Sequence, residues 1–246
     1  MTIGPAMKKI LINYADRGFL GAQLENAKTG LAIGGFDQAI SYRRRHLGYR
    51  FRWRHRRILR QERGAGYFLW KPYLILRTLK RRMNDGDILV YCDSDARFVN
   101  AIDPLLPLLF AQPEPRIVAF SLEDWRLNRF WTKRDCFYLL GLDASAYADA
   151  KQVAGSFFIC HRSKAVIAFV EEWLAGAADA RILTDAPNVC GLPNYPGFRE
   201  RRHDQSVLSL LVRKHALATI ADISQWGDGR RPPGLPRIIE LTGRRD

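Results

Sequence analysis

The sequence predicts an α/β fold in which one mixed sheet is flanked by helices. The first observation is a set of short apolar runs without charge, such as residues 88–92, which are typical of strands covered by helices on both faces. The second is the alternation of these runs with stretches of helical periodicity. The 246 residues suffice for one large domain, which we expect at residues 1–224, followed by a Gly/Pro/Arg-rich tail at residues 225–246.

The most informative feature of the composition is a formal net charge of +14. Such a charge predicts an anionic partner: a nucleic acid, an anionic membrane face or a phosphorylated ligand. Four scattered cysteines without a C-x-x-C pair indicate reduced thiols and argue against a zinc site. No signal peptide or membrane-spanning run is evident. We therefore expect a cytoplasmic protein, either soluble or peripheral at the inner face of the cytoplasmic membrane.

The first strand is predicted at residues 10–14, and turn-forming residues follow it. In nucleotide-binding α/β folds, ligands bind beyond the carboxyl ends of the strands, and the first strand commonly meets the base and ribose. Tyr14 and Asp16 are therefore candidate nucleotide-binding residues, with an ordinary surface turn as the alternative. Residues 20–31 fit a helix, and residues 34–42 fit a loop and a second strand, with a helix as the competing interpretation.

A basic segment extends from Arg43 to Arg63 and contains ten arginines, interleaved with Tyr49, Phe51 and Trp53. Arginine combined with aromatic residues suits phosphate backbones and also an anionic bilayer surface. A solvated helix face is the alternative, but the charges are dense and uniform in sign. We therefore expect an anionic partner for this segment.

Residues 64–72, GAGYFLWKP, predict a tight turn followed by a helix. Gly64 and Gly66 allow the backbone to approach a neighbour closely. Pro72 fits the first turn of a helix that continues to about Met83. Lys71 at this helix start is well placed to contact a diphosphate, and a surface lysine beside a buried tryptophan is the alternative.

The apolar run at residues 88–92 ends in Asp93-Ser94-Asp95. Side chains two residues apart lie on the same side of an extended segment, so the two carboxylates would face the ligand-binding edge of the sheet while Ser94 points away. This pair suits Mg²⁺ or Mn²⁺, which take water and phosphate oxygens as further ligands. The alternative is a capped turn without a metal.

The segment Trp131-Thr132-Lys133-Arg134-Asp135 follows a predicted strand at residues 116–121 and precedes a helix. Sugar rings stack on aromatic faces, and charged side chains can hold hydroxyl groups. Trp131, Lys133, Arg134 and Asp135 are therefore candidate acceptor-binding residues, and Thr132 is the predicted helix cap. The alternative is a capped amphipathic helix whose charges face water.

Residues 152–162 predict a turn and a buried strand, in which Gly155 allows close approach of a ligand to the backbone. Ser163 is the predicted cap of the following helix. Residues 184–197, rich in Pro, Asn and Gly, predict a lid-like loop.

His203, Asp204 and Gln205 open an apolar helix. Polar groups at the buried end of a helix need partners, so these three are candidate catalytic residues. Ordinary N-capping by Asp204 is the alternative. A last strand is predicted at residues 218–220.

Five motifs occur in an order that resembles bacterial glycosyltransferases of the GT-A fold, in particular small enzymes that build polysaccharide or lipopolysaccharide. They are the strand at residues 10–14, GAGYFLWKPY (64–73), GDILVYCDSD (86–95), WTKRD (131–135), and residues 152–155 followed by HDQS (203–206). The resemblance implies a GT-A-like, Rossmann-like nucleotide-diphospho-sugar transferase fold. It also implies a nucleotide-sugar donor, with a UDP-sugar expected, and a glycan or lipid-linked acceptor.

The resemblance further implies that Asp93 and Asp95 hold Mn²⁺ or Mg²⁺ at the diphosphate, with Asp95 as the more direct ligand and Asp93 shared with the ribose. Many enzymes of this fold take a third metal ligand from a histidine near the C-terminus. The tail of this chain has no histidine, so Glu240, His203 or water would fill that position.

By the same resemblance, Lys71 would assist at the phosphates and Gly155 would line the sugar pocket. Asp204 and Gln205 would face the reacting carbon. A carboxylate there can act as a base for the acceptor hydroxyl or stabilise an oxocarbenium-like transition state. The HDQS pattern slightly favours retention of the anomeric configuration, by analogy alone.

Two other functions remain open on the sequence. The charge also fits a basic nucleic-acid-binding protein or a metal-dependent nuclease, but the chain carries no nucleic-acid-binding motif, so no specific nucleic acid is expected. The third candidate is a non-catalytic peripheral membrane protein.

Overall fold

The structure, a computed structural model, describes residues 7–243. Its strands are β1 (Lys9–Tyr14), β2 (Gln38–Tyr42), β3 (Ile88–Cys92), β4 (Ala96–Phe98), β5 (Ile117–Ser121), β6 (Phe157–His161), β7 (Thr219–Ala221) and β8 (Ile239–Leu241). Its helices are α1 (Leu20–Ala32), α2 (Tyr49–Arg54), α3 (Arg56–Leu59), α4 (Gly64–Tyr67), α5 (Trp70–Arg81), α6 (Leu106–Phe110), α7 (Asn128–Trp131), α8 (Arg134–Leu139), α9 (Ser145–Ala148), α10 (Lys164–Ala178), α11 (Ala180–Leu183) and α12 (Asp204–Lys214).

The central sheet has the strand order β2-β1-β3-β6-β5-β7. Strand β6 is antiparallel to both of its neighbours, and the other pairs are parallel. Strands β4 and β8 form a separate antiparallel pair. The prediction of an α/β fold with one mixed sheet flanked by helices is confirmed.

Both faces of the central strand β3 are buried. Leu89 and Tyr91 belong to the core that includes side chains of α5, α10 and α12, whereas Ile88, Val90 and Cys92 belong to the core on the opposite face. Successive strand residues point to opposite faces. A strand covered on both sides therefore needs an unbroken apolar run, which is the pattern that this segment shows.

One edge of the sheet collects the ends of distant chain segments. Strands β1, β2, β3, β5 and β7 all end there, and β6 begins there because it runs in the opposite direction. The segments that follow these strands, at residues 15–19, 93–95, 122–126 and 222–226, are therefore brought together. This is the edge at which open α/β folds bind ligands.

Most predicted elements are present with small shifts in their bounds. Helix α1 covers residues 20–31, and β2 settles residues 34–42 in favour of a strand. Ser163 caps α10 by accepting a hydrogen bond of 3.2 Å from the N–H of Val166. Residues 184–197 contain no helix or strand, as predicted for a loop.

The prediction that Thr132 caps a helix is wrong. Lys133 occupies the N-cap position of α8, and the hydroxyl of Thr132 instead accepts a hydrogen bond of 3.1 Å from the Gln152 amide. At the other end of the chain, the segment beyond residue 224 contributes β8, in which Ile239 lies opposite Phe98 of β4.

The turn that contains Gly64 and Gly66 has an unusual backbone. All five residues from Gly64 to Phe68 have positive φ angles, between 51° and 103°. A Cβ at Gly66 would lie 2.8 Å from the Cα of Leu59, so only glycine fits there. Ala65, Tyr67 and Phe68 carry side chains in this left-handed region, which costs each roughly 1–2 kcal/mol. Such strain is typical of segments that shape a binding site.

Candidate active site

Two cavities open at the ligand-binding edge of the sheet. The β1 cavity, of about 980 Å³, is lined by residues that include Tyr14, Asp16, Arg44, Trp70, Asp93 and Asp95. The α12 cavity, of about 650 Å³, is lined by residues that include Lys71, Asp93, Gly155, His203, Asp204 and Gln205. The structure thus brings together the residues predicted for catalysis and for donor and metal binding. Asp93 borders both cavities, so ligand groups bound in the two would meet at this carboxylate.

Lys71 lies between two of the candidate carboxylates and is almost completely buried. Its ammonium is 3.5 Å from Oδ1 of Asp93 and 3.4 Å from Oδ2 of Asp204, and it donates a hydrogen bond of 2.7 Å to the carbonyl of Gly155. Burial lowers the pKa of Lys71, but the two carboxylates outweigh burial and raise it, so the side chain is charged. Lys71 is therefore not a surface lysine: it links the end of β3 to the start of α12.

The two aspartates after β3 differ in their surroundings. Asp93 accepts a hydrogen bond from the hydroxyl of Tyr91 in addition to its ion pair with Lys71. Asp95 has no ion pair within the described part of the chain. Burial, followed by the negative charge of Asp93, raises the pKa of Asp95 to about 6. Asp95 thus carries a negative charge that no protein cation compensates closely.

These carboxylates fit a divalent cation. Mg²⁺ and Mn²⁺ are commonly held by one or two carboxylates, while water and substrate phosphates complete the shell. Within residues 7–243, no cluster of three or more His, Cys, Asp or Glu residues is arranged to hold a metal. Glu240 is paired with Arg97 and Arg237, and His203 lines the cavity that Asp95 does not reach. Asp95 and Glu240 both line a further cavity of about 730 Å³. Glu240 and water therefore stay the candidates for the third ligand, whereas His203 is placed less well.

Asp204 is the first residue of α12 and is buried, with its backbone carbonyl accepting a hydrogen bond of 3.0 Å from Trp173. Its Oδ2 atom is buried and has no hydrogen-bond partner among the described residues, although the ammonium of Lys71 lies at ion-pair distance. Burial raises the pKa of Asp204 to about 6, and Lys71 opposes that rise. Lys71 thus orients the carboxylate, but one carboxylate oxygen can still accept a hydrogen bond, which is suited to ligand binding.

Gln205 is held by its neighbours in one orientation. Its side-chain amide nitrogen donates a hydrogen bond of 2.8 Å to the side-chain oxygen Oε1 of Gln152. A Cβ at Gly155 would lie 3.1 Å from the Cβ of Gln205 and 3.2 Å from its Oε1 atom. Gly155 therefore lets the backbone approach this side chain closely, and its carbonyl in turn accepts from Lys71.

His203 is buried and stacked on the ring of Tyr67, with the ring centroids 4.6 Å apart. Its Nδ1 donates to the carbonyl of Leu183 at 2.9 Å, and Nε2 lies 4.0 Å from Asp185. Burial lowers the pKa of His203, so the imidazole is neutral at physiological pH. This position, with a φ of 50°, fits a residue that shapes the start of α12 better than one that transfers a proton.

Tyr14 and Asp16 both border the β1 cavity. The ring of Tyr14 stacks on Trp70, with centroids 3.9 Å apart and an interplanar angle of 19°. Burial and, to a smaller extent, Asp16 raise the pKa of Tyr14 to about 12. The carboxylate of Asp16 accepts a hydrogen bond from the N–H of Gly18 and lies on the exposed rim, so of the two it is the freer to contact a ligand.

The residues predicted to bind the acceptor are mostly engaged elsewhere. Lys133 and Asp135 form a buried ion pair of 2.9 Å that holds the loop at residues 184–197. Arg134 pairs with Asp143 and stacks on Tyr195. Trp131 is buried beneath arginine side chains. Burial and these protein partners leave Lys133 and Asp135 no surface for an acceptor, so the structure does not support that role for them.

Sequence reasoning missed several residues on the far wall of the α12 cavity. They are Glu123 and Arg126, which follow β5, and Asp222 and Trp226, which follow β7. Asp222 is buried, whereas the indole of Trp226 is 59% exposed. The one available signal was their position directly after predicted strands, which places them at the ligand-binding edge. This wall presents an aromatic face and carboxylates to the α12 cavity.

The basic segment from Arg43 to Arg63 wraps the rim beside these cavities. Arg44 lines the β1 cavity, Arg63 lines the α12 cavity, and Glu62 lines both. No helix in the described part of the chain is both long and apolar enough to cross a membrane.

Comparison with known proteins supports the fold. No protein-family model matches this chain, and no curated protein sequence matches it. Among solved structures, the fold is similar to the crystal structure of mouse xyloside xylosyltransferase 1 in its apo form, with a TM-score of 0.52 and 10% sequence identity over 96% of this chain and 97% of that chain. At this identity the similarity establishes the fold alone. The chain has a GT-A-like fold, as predicted.

Proposed function

We propose that this chain is a glycosyltransferase that moves a sugar from a nucleotide-diphosphate sugar to a glycan or lipid-linked acceptor. The observation that carries this proposal is the position of Lys71, which joins Asp93 to Asp204 where the two cavities meet. A nucleoside in the β1 cavity and a sugar in the α12 cavity would place the diphosphate beside Asp93 and Asp95. A UDP-sugar is the expected donor.

Asp93 and Asp95 would hold Mn²⁺ or Mg²⁺. When bound, the cation would neutralise the charge that develops on the leaving nucleoside diphosphate. Two features of the described residues support this assignment: Asp95 forms no ion pair there, while burial and the charge of Asp93 raise its pKa, and Asp93 borders both cavities. Lys71 is proposed to fix Asp93 and to bring positive charge near the phosphates, rather than to contact them from an exposed helix start.

In the transfer, the bond between the anomeric carbon and the diphosphate oxygen breaks, and the acceptor hydroxyl oxygen bonds to that carbon. The proton of that hydroxyl passes to the leaving diphosphate. Asp204 is proposed to face the anomeric carbon as a carboxylate and to stabilise its developing positive charge. Lys71 keeps this carboxylate oriented. Gln205, fixed by Gln152, is proposed to form a hydrogen bond with the donor sugar. Gly155 is proposed to let that sugar approach the backbone closely.

The acceptor is proposed to bind against the far wall, where Asp222 and Trp226 lie. A lipid-linked acceptor of polysaccharide or lipopolysaccharide assembly would bring the enzyme to the inner face of the cytoplasmic membrane. The ten arginines between Arg43 and Arg63 support that choice.

A panel of nucleotide sugars tests this function through the slow hydrolysis that glycosyltransferases show without an acceptor. We expect Mn²⁺-dependent hydrolysis of one donor, with a UDP-sugar first, and NMR of the released sugar would identify the anomer. Asp95→Asn should remove this activity, whereas Asp103→Asn, a surface carboxylate paired with Lys9, should retain it. Hydrolysis of oligonucleotides with no turnover of any nucleotide sugar would favour the nuclease instead.

A further inference from the structure

In the basic segment from Arg43 to Arg63, several apolar residues are buried and nearly all of the arginines are exposed. Leu47, Ile58 and Leu59 are buried, and Phe51 stacks on Tyr73 of α5 with ring centroids 3.9 Å apart. The arginines face outward: all but Arg43 belong to the exposed class. The segment is thus fixed to the domain by its apolar side and offers a rigid charged surface to solvent.

The charge on this surface is not balanced by the protein. The segment has ten arginines and one acidic residue, Glu62, which makes a formal charge of +9 out of the net +14. Within the described residues, only Arg63 forms an ion pair, with Asp185 and Glu200. The other nine arginines make no ion pair there. Charges of one sign without counterparts repel one another, so an anionic surface would stabilise them together.

Two large aromatic side chains stand in the middle of this charged surface. Tyr49 is 74% exposed and Trp53 is 62% exposed. They lie one helical turn apart on α2, as do Arg50 and Arg54, and these four side chains line one shallow depression. Exposed apolar patches rimmed by polar residues mark sites that bind proteins or membranes. Tyrosine and tryptophan beside arginine are the side chains that prefer the headgroup region of a bilayer.

We propose that the outward face of α2, formed by Tyr49, Arg50, Trp53 and Arg54, docks the protein on an anionic lipid bilayer. The two rings enter the headgroup region and the surrounding arginines bind lipid phosphates. This docking rests on charge and exposure, and it does not depend on the proposed sugar transfer. It would place the rim of both cavities, to which Arg44 and Arg63 contribute, close to the bilayer surface.

A bilayer fits this face better than a nucleic-acid strand. Single-strand binders combine a charged groove, which follows the backbone, with aromatic residues for successive bases. Here the two aromatic residues lie on one turn of a short helix, and the depression beside them measures about 300 Å³. Two aromatic rings on one helical turn, with charge spread around them, match a flat anionic surface.

Co-sedimentation with lipid vesicles tests the proposal. We expect the full chain to bind vesicles of equal parts phosphatidylglycerol and phosphatidylcholine, to release them at high salt, and not to bind pure phosphatidylcholine. The double variant Arg50→Gln/Arg54→Gln should weaken binding about thirtyfold. The matched control Arg181→Gln/Arg213→Gln removes the same charge from other exposed positions and should bind as the unaltered chain does.

Insertion of the ring is tested separately. Lipids brominated near the headgroup should quench part of the tryptophan fluorescence, and Trp53→Phe should remove that quenching, whereas Trp125→Phe, at another exposed tryptophan, should not. The proposal is overturned if anionic vesicles are not bound at low salt, or if the control pair loses as much binding as the α2 pair. It is also overturned if oligonucleotides bind tightly while vesicles do not. Circular dichroism of each variant checks that the fold is retained.

Discussion

Two buried lysines, Lys71 and Lys133, form ion pairs in this molecule, and their surroundings differ. The ammonium of Lys133 lies 2.9 Å from Asp135 and donates hydrogen bonds to three backbone carbonyls, those of Arg181, Ala186 and Pro187. Asp135 in turn accepts from the N–H groups of Val189 and Cys190. Lys71 has one carbonyl partner and two carboxylates at longer distances, one of which keeps an oxygen without a hydrogen bond.

The pKa values of Asp135 and Asp204, one in each cluster, are shifted in opposite directions. Burial raises the pKa of Asp135, but hydrogen bonds from Lys133, Cys190 and Val189 outweigh it and lower the pKa to about 2. Burial raises the pKa of Asp204 to about 6, because its partners are fewer and farther away. A buried ion pair with a full set of hydrogen bonds stabilises the fold. A buried ion pair that lacks hydrogen bonds and borders a cavity is suited to bind a ligand.

Lys133→Met should give the largest effect on stability. It leaves Asp135 buried without its cation and releases three backbone carbonyls, and breaking a buried pair in this way costs about 3–5 kcal/mol of the free energy of unfolding. Urea denaturation measures the change. A loss below about 1 kcal/mol would show that the pair is not holding the loop at residues 184–197.

Lys71→Met should give the largest effect on turnover. Donor hydrolysis should fall by about 10²–10³-fold, the range found when one transition-state interaction is removed. The loss of stability should be smaller than for Lys133→Met, because Asp204 borders a cavity and its raised pKa lets it take up a proton. Equal losses of stability in the two variants, with turnover preserved in Lys71→Met, would remove the distinction between the clusters.

As the pH falls, protonation of Asp135 should lower the stability, whereas protonation of Asp95 and Asp204 should raise it. The folded pKa of Asp135, about 2, lies below its unfolded value of about 3.9, so its contribution is lost as pH falls from about 4 to 2. The folded pKa of Asp95 and Asp204, about 6, lies above that value. These two groups bind protons more tightly in the folded state, so their contribution to stability should rise as pH falls from about 6 to 4.

The lowered pKa of His203 acts in the opposite direction, because the unfolded state binds its proton more tightly. The shift of Asp204 is therefore measured as a difference between variants, by urea denaturation without divalent cations. Asp204→Asn should remove a gain in stability between pH ~6 and ~4 and leave the loss below pH ~4 in place. A difference in the free energy of unfolding between the unaltered chain and Asp204→Asn that stays constant between pH ~6 and ~4 would contradict the raised pKa of Asp204.

Gly155→Ala should give the smallest effect. The new Cβ would lie 3.1 Å from Gln205, so that side chain must shift by a few tenths of an ångström, and the carbonyl that Lys71 contacts would shift with it. We expect turnover to fall about tenfold, because small misplacements at a reacting centre are costly, with a stability change near 1 kcal/mol. Unchanged turnover would show that the contact between Gly155 and Gln205 does not position the donor.

The contrast between the lysines also shows what sequence could and could not predict. The apolar run before Asp93 predicted β3 and its ligand-facing carboxyl end, because a strand buried on both faces needs such a run. The serine before α10 predicted its cap. Such features depend on neighbours in the chain, and most of them proved correct.

The failures concern partners distant in sequence. In the sequence, Lys71 and Lys133 both follow an aromatic residue near a predicted helix start. Both are therefore predicted to contact a ligand. Which lysine is saturated depends on the loop at residues 184–197 and on Asp204, more than 40 positions away in each case. Asp222 and Trp226 reach the site only because β7 lies beside β5, an arrangement that no local pattern reveals.

The most direct test of the proposed glycosyltransferase is the melting temperature of the chain with UDP and Mn²⁺. Because a ligand that binds the folded state stabilises it, we expect a clear rise with both present and a small one with either alone. In Asp95→Asn, addition of both should give no more than the small rise that UDP gives alone. Asp103→Asn serves as the control. No rise with UDP or with any other common nucleoside diphosphate in the presence of Mn²⁺ would contradict the proposal that the β1 cavity and the Asp93–Asp95 pair form a donor site.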